Sequence, residues 1–119
     1  MNENMAMFAS TLLHSATNTH FFHWSTDSFS KHMALGTYYD EIVGLVDDLV
    51  ETYMGCYDKI TSFPSNYHQP KEPVKYLESL KNFVDAARQD LPQETQIQNI
   101  IDEIAQLIDS TLYKLRFLK

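Results

Sequence analysis

Glycine and proline are scarce in this chain, at three and four of 119 residues. A fold of many short strands needs a tight turn at each reversal, and these two residues build most such turns. Their scarcity disfavours an all-β fold and points to a few long helices. Cysteine occurs once, at Cys56, so no disulfide forms within the chain. A reducing, cytoplasmic setting fits that usage, and Cys56 itself reads as a small buried apolar residue. Cations are also in short supply: nine Lys and Arg stand against sixteen Asp and Glu, a net charge of −7. Phosphate binding needs clustered positive charge, so DNA is not expected as a partner. No apolar run approaches the ~20 residues that cross a bilayer. The opening MNENMAMFAS lacks the basic start and continuous apolar stretch of a signal peptide. A soluble cytoplasmic chain with no membrane partner is expected.

What is present is apolar periodicity. At 119 residues, 44% apolar, the chain is expected to form one domain, residues 1–119, with one core. Met5, Phe8, Leu12, Ala16 and Phe22 or His23 predict a helix over about 4–24, with Asn2 or Asn4 as its cap. The polar run Ser25–Ser30 predicts a turn, and Asp27, Ser28 and Ser30 are candidate caps for the helix that follows. That second helix, about 30–60, carries the longest stripe: Leu35, Tyr39, Ile42, Val43, Val46, Leu49, Val50, Tyr53, Tyr57 and Ile60. Pro64 and Pro70 interrupt the pattern. A third helix, about 73–89, begins with Pro73 at its first position and buries Val74, Leu77, Leu80, Phe83 and Val84. A fourth, about 92–118, carries Ile97, Ile100, Ile101, Ile104, Leu107, Ile108, Leu112 and Leu115. Its basic residues Lys114, Arg116 and Lys119 complement the negative end of the helix.

Four amphipathic helices around one core make an all-α four-helix bundle. The first and third turns are short, which implies antiparallel neighbours. The middle connection, residues 61–72, reaches about 40 Å when extended, enough to cross from one end of a long helix to the other. A long crossover between helices 2 and 3 is the ferritin-like arrangement; a folded-up loop in a simple up-down-up-down bundle is the alternative.

Chemistry concentrates in the first two helices. His23, His32, Asp47 and Glu51 are residue types that hold a divalent transition metal. His32 and Asp47 lie fifteen positions apart, roughly 22 Å along a straight helix, so one helix cannot close them on one ion. Asp47 and Glu51 are one turn apart and share a face. If two copies of helix 2 cross antiparallel near Tyr39 to Ile42, His32 of one lies opposite Asp47 and Glu51 of the other. Two-fold symmetry then makes two equal sites, and Gly36 and Gly44 flank the crossing, where they permit close approach. No Glu-x-x-His pair occurs anywhere, so a di-iron site inside one bundle is not expected. Glu78, Asp85, Asp102, Glu103 and Asp109 read as a solvated face, and Asp40, Asp48 and Asp58 either as the same or as a path for cations. His14, His20 and His68, taken singly, read as surface or satisfied core residues.

The run HWSTDSFSKHMALGTYYDEIVGLVDDLVE resembles the signature of the Dps family, the miniferritins. It shows a His-Trp pair (His23-Trp24), then Phe29 with His32. Tyr39-Asp40 and Asp47 with Glu51 follow. The resemblance implies an iron-oxidising site between two-fold-related subunits, with His23 and His32 from one chain and Asp47 and Glu51 from the other. It also implies Trp24 as an oxidisable aromatic near the site and iron as the metal. Family members oxidise Fe(II) with peroxide or oxygen and assemble as homo-oligomeric twelve-subunit shells storing ferric mineral. Gly36 replaces an acidic residue usual in the family. His20 has the family's spacing to His32, which leaves the first ligand open between His20 and His23; the adjoining Trp24 favours His23. Without a basic tail, the DNA protection of some members does not carry over. The alternative reading is a metal-free structural or interaction bundle that keeps the fold without ferroxidase activity.

Overall fold

A computed structural model describes residues 2–65 and 67–119. It contains α1 (Asn2–Ser25), α2 (Phe29–Cys56), α3 (Pro73–Ala87) and α4 (Thr95–Phe117), with a single 3₁₀ turn, Arg88–Asp90, continuing α3. No strand occurs among the described residues, and no helix is long and apolar enough to cross a membrane.

Hydrogen bonds at the helix ends fix the direction of each helix. Near the start of α1, the Asn2 side chain accepts from the Tyr53 hydroxyl at the end of α2, 2.5 Å, and the Asn4 amide meets the Asp90 carbonyl after α3, 3.4 Å. Tyr57, just past α2, donates its hydroxyl to Glu94 at the head of α4. At the opposite end, Ser30 of α2 donates to the Leu118 carbonyl after α4, 3.1 Å, and Asn18 of α1 donates to the Tyr76 hydroxyl near the start of α3, 3.0 Å. The order is therefore up, down, down, up, with α2 and α3 parallel. The connection 57–72 runs from one end of the bundle to the other, as its length predicts.

Each boundary has a local cause. Ser28 caps α2, its hydroxyl accepting from the Lys31 amide at 3.3 Å. Glu72 caps α3, accepting from the Val74 and Lys75 amides at 3.0 and 2.7 Å, with Pro73 in the first turn. Asn2 and Asn4 are not caps, because α1 already includes both and their side chains serve other helices. The second helix stops at Cys56 rather than at Ile60. Gly55, a poor helix former, sits in its last turn. Ile60 is buried nonetheless, carried back to the core by the loop. The third helix proper ends at Ala87 and the fourth starts at Thr95, which leaves Pro92 in the turn between them.

The core holds Met5, Phe8 and Leu12 of α1, Leu77, Leu80 and Val84 of α3, and the isoleucine-rich stripe of α4. Along α2 Tyr38 and Tyr53 are fully buried, Tyr39 is half-buried and Val43 is exposed, as is Tyr57 just past the helix. The Ser15 hydroxyl donates to the Leu12 carbonyl at 2.5 Å, so the Tyr38 hydroxyl donates to Ser15 Oγ at 2.8 Å. Cys56 is exposed, not buried, because at the last position of α2 it faces away from the core. Glu78, Asp85, Asp102, Glu103 and Asp109 are all exposed. Arg116, placed by its sequence at a helix end, also reaches across to Glu78 at 2.5 Å.

Candidate functional site

The three-residue turn between α1 and α2 brings His23 and His32 face to face. Their rings stack with centroids 3.6 Å apart and planes 18° from parallel. His23 Nδ1 lies 2.5 Å from the His32 carbonyl oxygen, and His32 Nδ1 lies 2.8 Å from the His23 carbonyl oxygen. A carbonyl oxygen only accepts, so Nδ1 carries the proton on both rings and the lone pair of each neutral imidazole resides on Nε2. Backbone anchoring of one ring nitrogen, leaving the other to bind, is how histidine ligands are held in orientation.

Gly36 makes room for this pair. A Cβ built on Gly36 would stand 3.1 Å from Cε1 and 3.2 Å from Nδ1 of His23. The ring occupies the space beside the glycine within its own chain, so the role of Gly36 here is to seat His23. Gly44 has open space around it.

His20 turns elsewhere. It stacks on Tyr39 with centroids 4.0 Å apart and planes 13° from parallel, and Trp24 leans on it at 4.3 Å. Its ring centroid is 6.0 Å from that of His23. Of the two candidates for the first ligand position, His23 is the one facing His32. Trp24, 67% exposed, borders the pair through His20.

Asp47 and Glu51 lie farther down α2, both exposed. Among the described residues, no group of three or more His, Cys, Asp or Glu side chains gathers to hold a metal ion. The single chain thus brings His23 and His32 together and leaves Asp47 and Glu51 as a separate pair. Ile42, at the centre of the expected helix crossing, points into its own core. Outward positions near it are Asp40, Val43, Gly44 and Asp47, and Phe29 and Met33 extend that stripe at 77% and 54% exposure.

One feature of the surface escapes the sequence. Asp40, Glu41 and Asp48 of α2 face Glu103 of α4 across an open groove of about 510 Å³. Glu103 reads as an isolated surface acid until the bundle places α4 beside α2. Asp58 lies outside the groove. His14, half-buried, packs against Tyr67 with ring centroids 5.1 Å apart and planes near perpendicular.

The sequence pattern of a family of unknown function, DUF5856, matches residues 23–115. The chain belongs to that family. The matched segment opens on His23 and takes in His32, Gly36, Asp47 and Glu51. No curated protein and no solved structure matches the chain.

Proposed function

We propose that this member of DUF5856 is a ferritin-like, Dps-like iron-binding protein that oxidises Fe(II) at sites shared between two-fold-related copies. The observation that carries the reading is the mutual anchoring of His23 and His32, which leaves both Nε2 atoms available. Asp47 and Glu51 supply two carboxylates one turn apart on the same helix. In an antiparallel pair of α2 helices, residue 32 of one copy stands across from residues 47–51 of the other when the crossing is near residue 40. Imidazole and carboxylate together suit Fe(II), which enters as substrate and leaves as Fe(III) when peroxide or oxygen takes the electron. The acidic groove beside α2 draws cations towards this surface. The exposed stripe Phe29, Met33 and Val43 supplies apolar area for self-association. Storage of ferric iron inside a larger homo-oligomer, up to a dodecamer, is the extension of this reading.

A metal-free structural or interaction bundle is the second reading, and Gly36 favours it. The place of the acidic residue usual in the Dps family is held by a glycine against which the His23 ring packs, so a second metal position lacks that carboxylate. Aerobic addition of Fe(II), followed by absorbance of the ferric product, separates the two. Oxidation faster than in buffer, lost in His32→Ala and in Glu51→Ala, supports the shared site. Equal rates with and without protein reject it and leave the metal-free bundle.

A further inference from the structure

α1 and α3 are held apart by aromatic spacers at two levels. Phe8 stacks on Phe83 with centroids 5.7 Å apart. About two helical turns along, Tyr76 takes the Asn18 amide at 3.0 Å and packs against Phe22 at 6.2 Å. Between these levels the small residues Thr11 on α1 and Ser79 on α3 line the space. They cannot fill the gap that the aromatic rings open, and a groove of about 550 Å³ results, with Leu80 and Phe83 in its lining. That volume lies in the range of small-molecule sites, which are mostly apolar with a few placed polar groups.

The rim of the groove has the opposite sign from the rest of the molecule. Lys71 and Lys75 line it, with His68 beside them, in a chain of net charge −7. The ion pairs among the described residues engage Lys81, Arg88 and Arg116, and among those residues neither groove ammonium group has a carboxylate partner. The one acid in the lining, Glu72, already has each oxygen accepting from a backbone amide of α3. Thr11 gives its hydroxyl only to the Met7 sulfur, 3.7 Å away, a weak acceptor.

We propose that this groove binds a small amphipathic monoanion, a carboxylate with an aliphatic or aromatic body, independently of any iron chemistry at α2. The body lies over Leu80 and Phe83, and the carboxylate meets Lys71 and Lys75, with the Thr11 or Ser79 hydroxyl in reach of its near end. An apolar floor alone would take neutral molecules equally well. The paired, unneutralised lysines are what select the anion.

Amide chemical-shift mapping of the full chain with sodium decanoate, and with decanamide as its neutral isostere, tests the assignment. Decanoate is expected to shift resonances around Thr11 and along 71–83, with decanamide binding about tenfold more weakly or worse, as two charge contacts warrant. The double change Lys71→Gln with Lys75→Gln should reduce decanoate affinity to that of decanamide. Ser79→Trp, at an exposed position, should fill the groove and abolish both while leaving the melting temperature of the chain in place. Equal affinity for acid and amide, shifts scattered over the surface, an unaffected double variant, or no shifts up to about 1 mM would each overturn the proposal.

Discussion

The imidazole of His23 occupies the space that a side chain at position 36 would need, its Cε1 3.1 Å from where a Cβ would stand. The ring cannot retreat freely, because its Nδ1 is bonded to the His32 carbonyl and its face is stacked on the His32 ring. Gly36→Ala should therefore displace His23. Removing glycine from a helix interior stabilises by about 1 kcal/mol, and breaking one hydrogen bond costs about the same. The expected outcome is a near-unchanged melting temperature with a changed His23 imidazole nitrogen spectrum, read by long-range ¹H–¹⁵N NMR.

Gly44 is the control for that experiment. It lies in the same helix, yet a Cβ there meets nothing within 4 Å. Gly44→Ala should stabilise the isolated chain by about 1 kcal/mol, raising its melting temperature by roughly 4 °C for a domain of this size. If two copies of α2 approach closely beside this glycine, the same change should weaken self-association. Calorimetry at a concentration where the chain is monomeric, paired with sedimentation at higher concentration, reads the two effects apart.

Ser15 and Tyr38 should respond unequally to truncation. Tyr38→Phe leaves Ser15 still donating to the Leu12 carbonyl, so about 1 kcal/mol is lost with the missing bond. Ser15→Ala strands the Tyr38 hydroxyl in a fully buried place, which costs about 2 kcal/mol for an unsatisfied donor. Urea denaturation of both variants should therefore give the larger loss for Ser15→Ala; the reverse order would mean that Tyr38 donates elsewhere.

Tyr38 and Tyr57 should resist alkaline titration most, beyond the smaller upward shifts that burial gives Tyr53 and Tyr76. Burial pushes the Tyr38 phenol well above its usual value. The hydrogen bond it donates to Glu94, first, and then partial desolvation push Tyr57 up to about 12. Both groups titrate higher folded than unfolded, so their contribution is full below the unfolded value near 10 and is lost as pH rises through the folded one. Tyrosinate absorbance at pH 11 should fall short of seven residues. Glu94→Gln should release Tyr57 to ionise near its usual value, and Tyr38→Phe should flatten the fall in stability above pH 10.

Much of this architecture is legible in the residue pattern, and the misreadings have physical causes. Ser28 and Pro73 mark helix starts because capping and a preset φ act locally. The stripe of α4 is read correctly because all its isoleucines report one face. Periodicity reports burial rather than helix, and so it carries α2 on to Ile60, which is buried from a loop. Tyr38, three positions after Leu35 and four before Ile42, lies on the buried face itself, where its hydroxyl meets Ser15, 23 positions earlier; Tyr39 lies one step off that face. Cys56 is exposed at the end of its helix, which its own residue type does not announce. The four candidate ligands are visible as a spacing, whereas the reciprocal bonds of His23 and His32 depend on two backbone carbonyls that no side-chain motif records.

The choice between His20 and His23 as a metal ligand follows from those bonds and can be tested on the one tryptophan. His23 faces His32 with its Nδ1 on a backbone carbonyl, while His20 lies flat on Tyr39 and against Trp24. A paramagnetic or redox-active ion held at His23 and His32 lies near Trp24 and should quench its fluorescence. His23→Ala and His32→Ala should each abolish saturable quenching by Co(II) or Fe(II), and His20→Ala should preserve it with a changed starting intensity. Mixing His32→Ala chains with Glu51→Ala chains should then restore one intact site per pair, since each supplies what the other lacks. Quenching that survives in His23→Ala and disappears in His20→Ala would assign the ligand to the other histidine. Failure of the mixed chains to regain binding would reject the shared site.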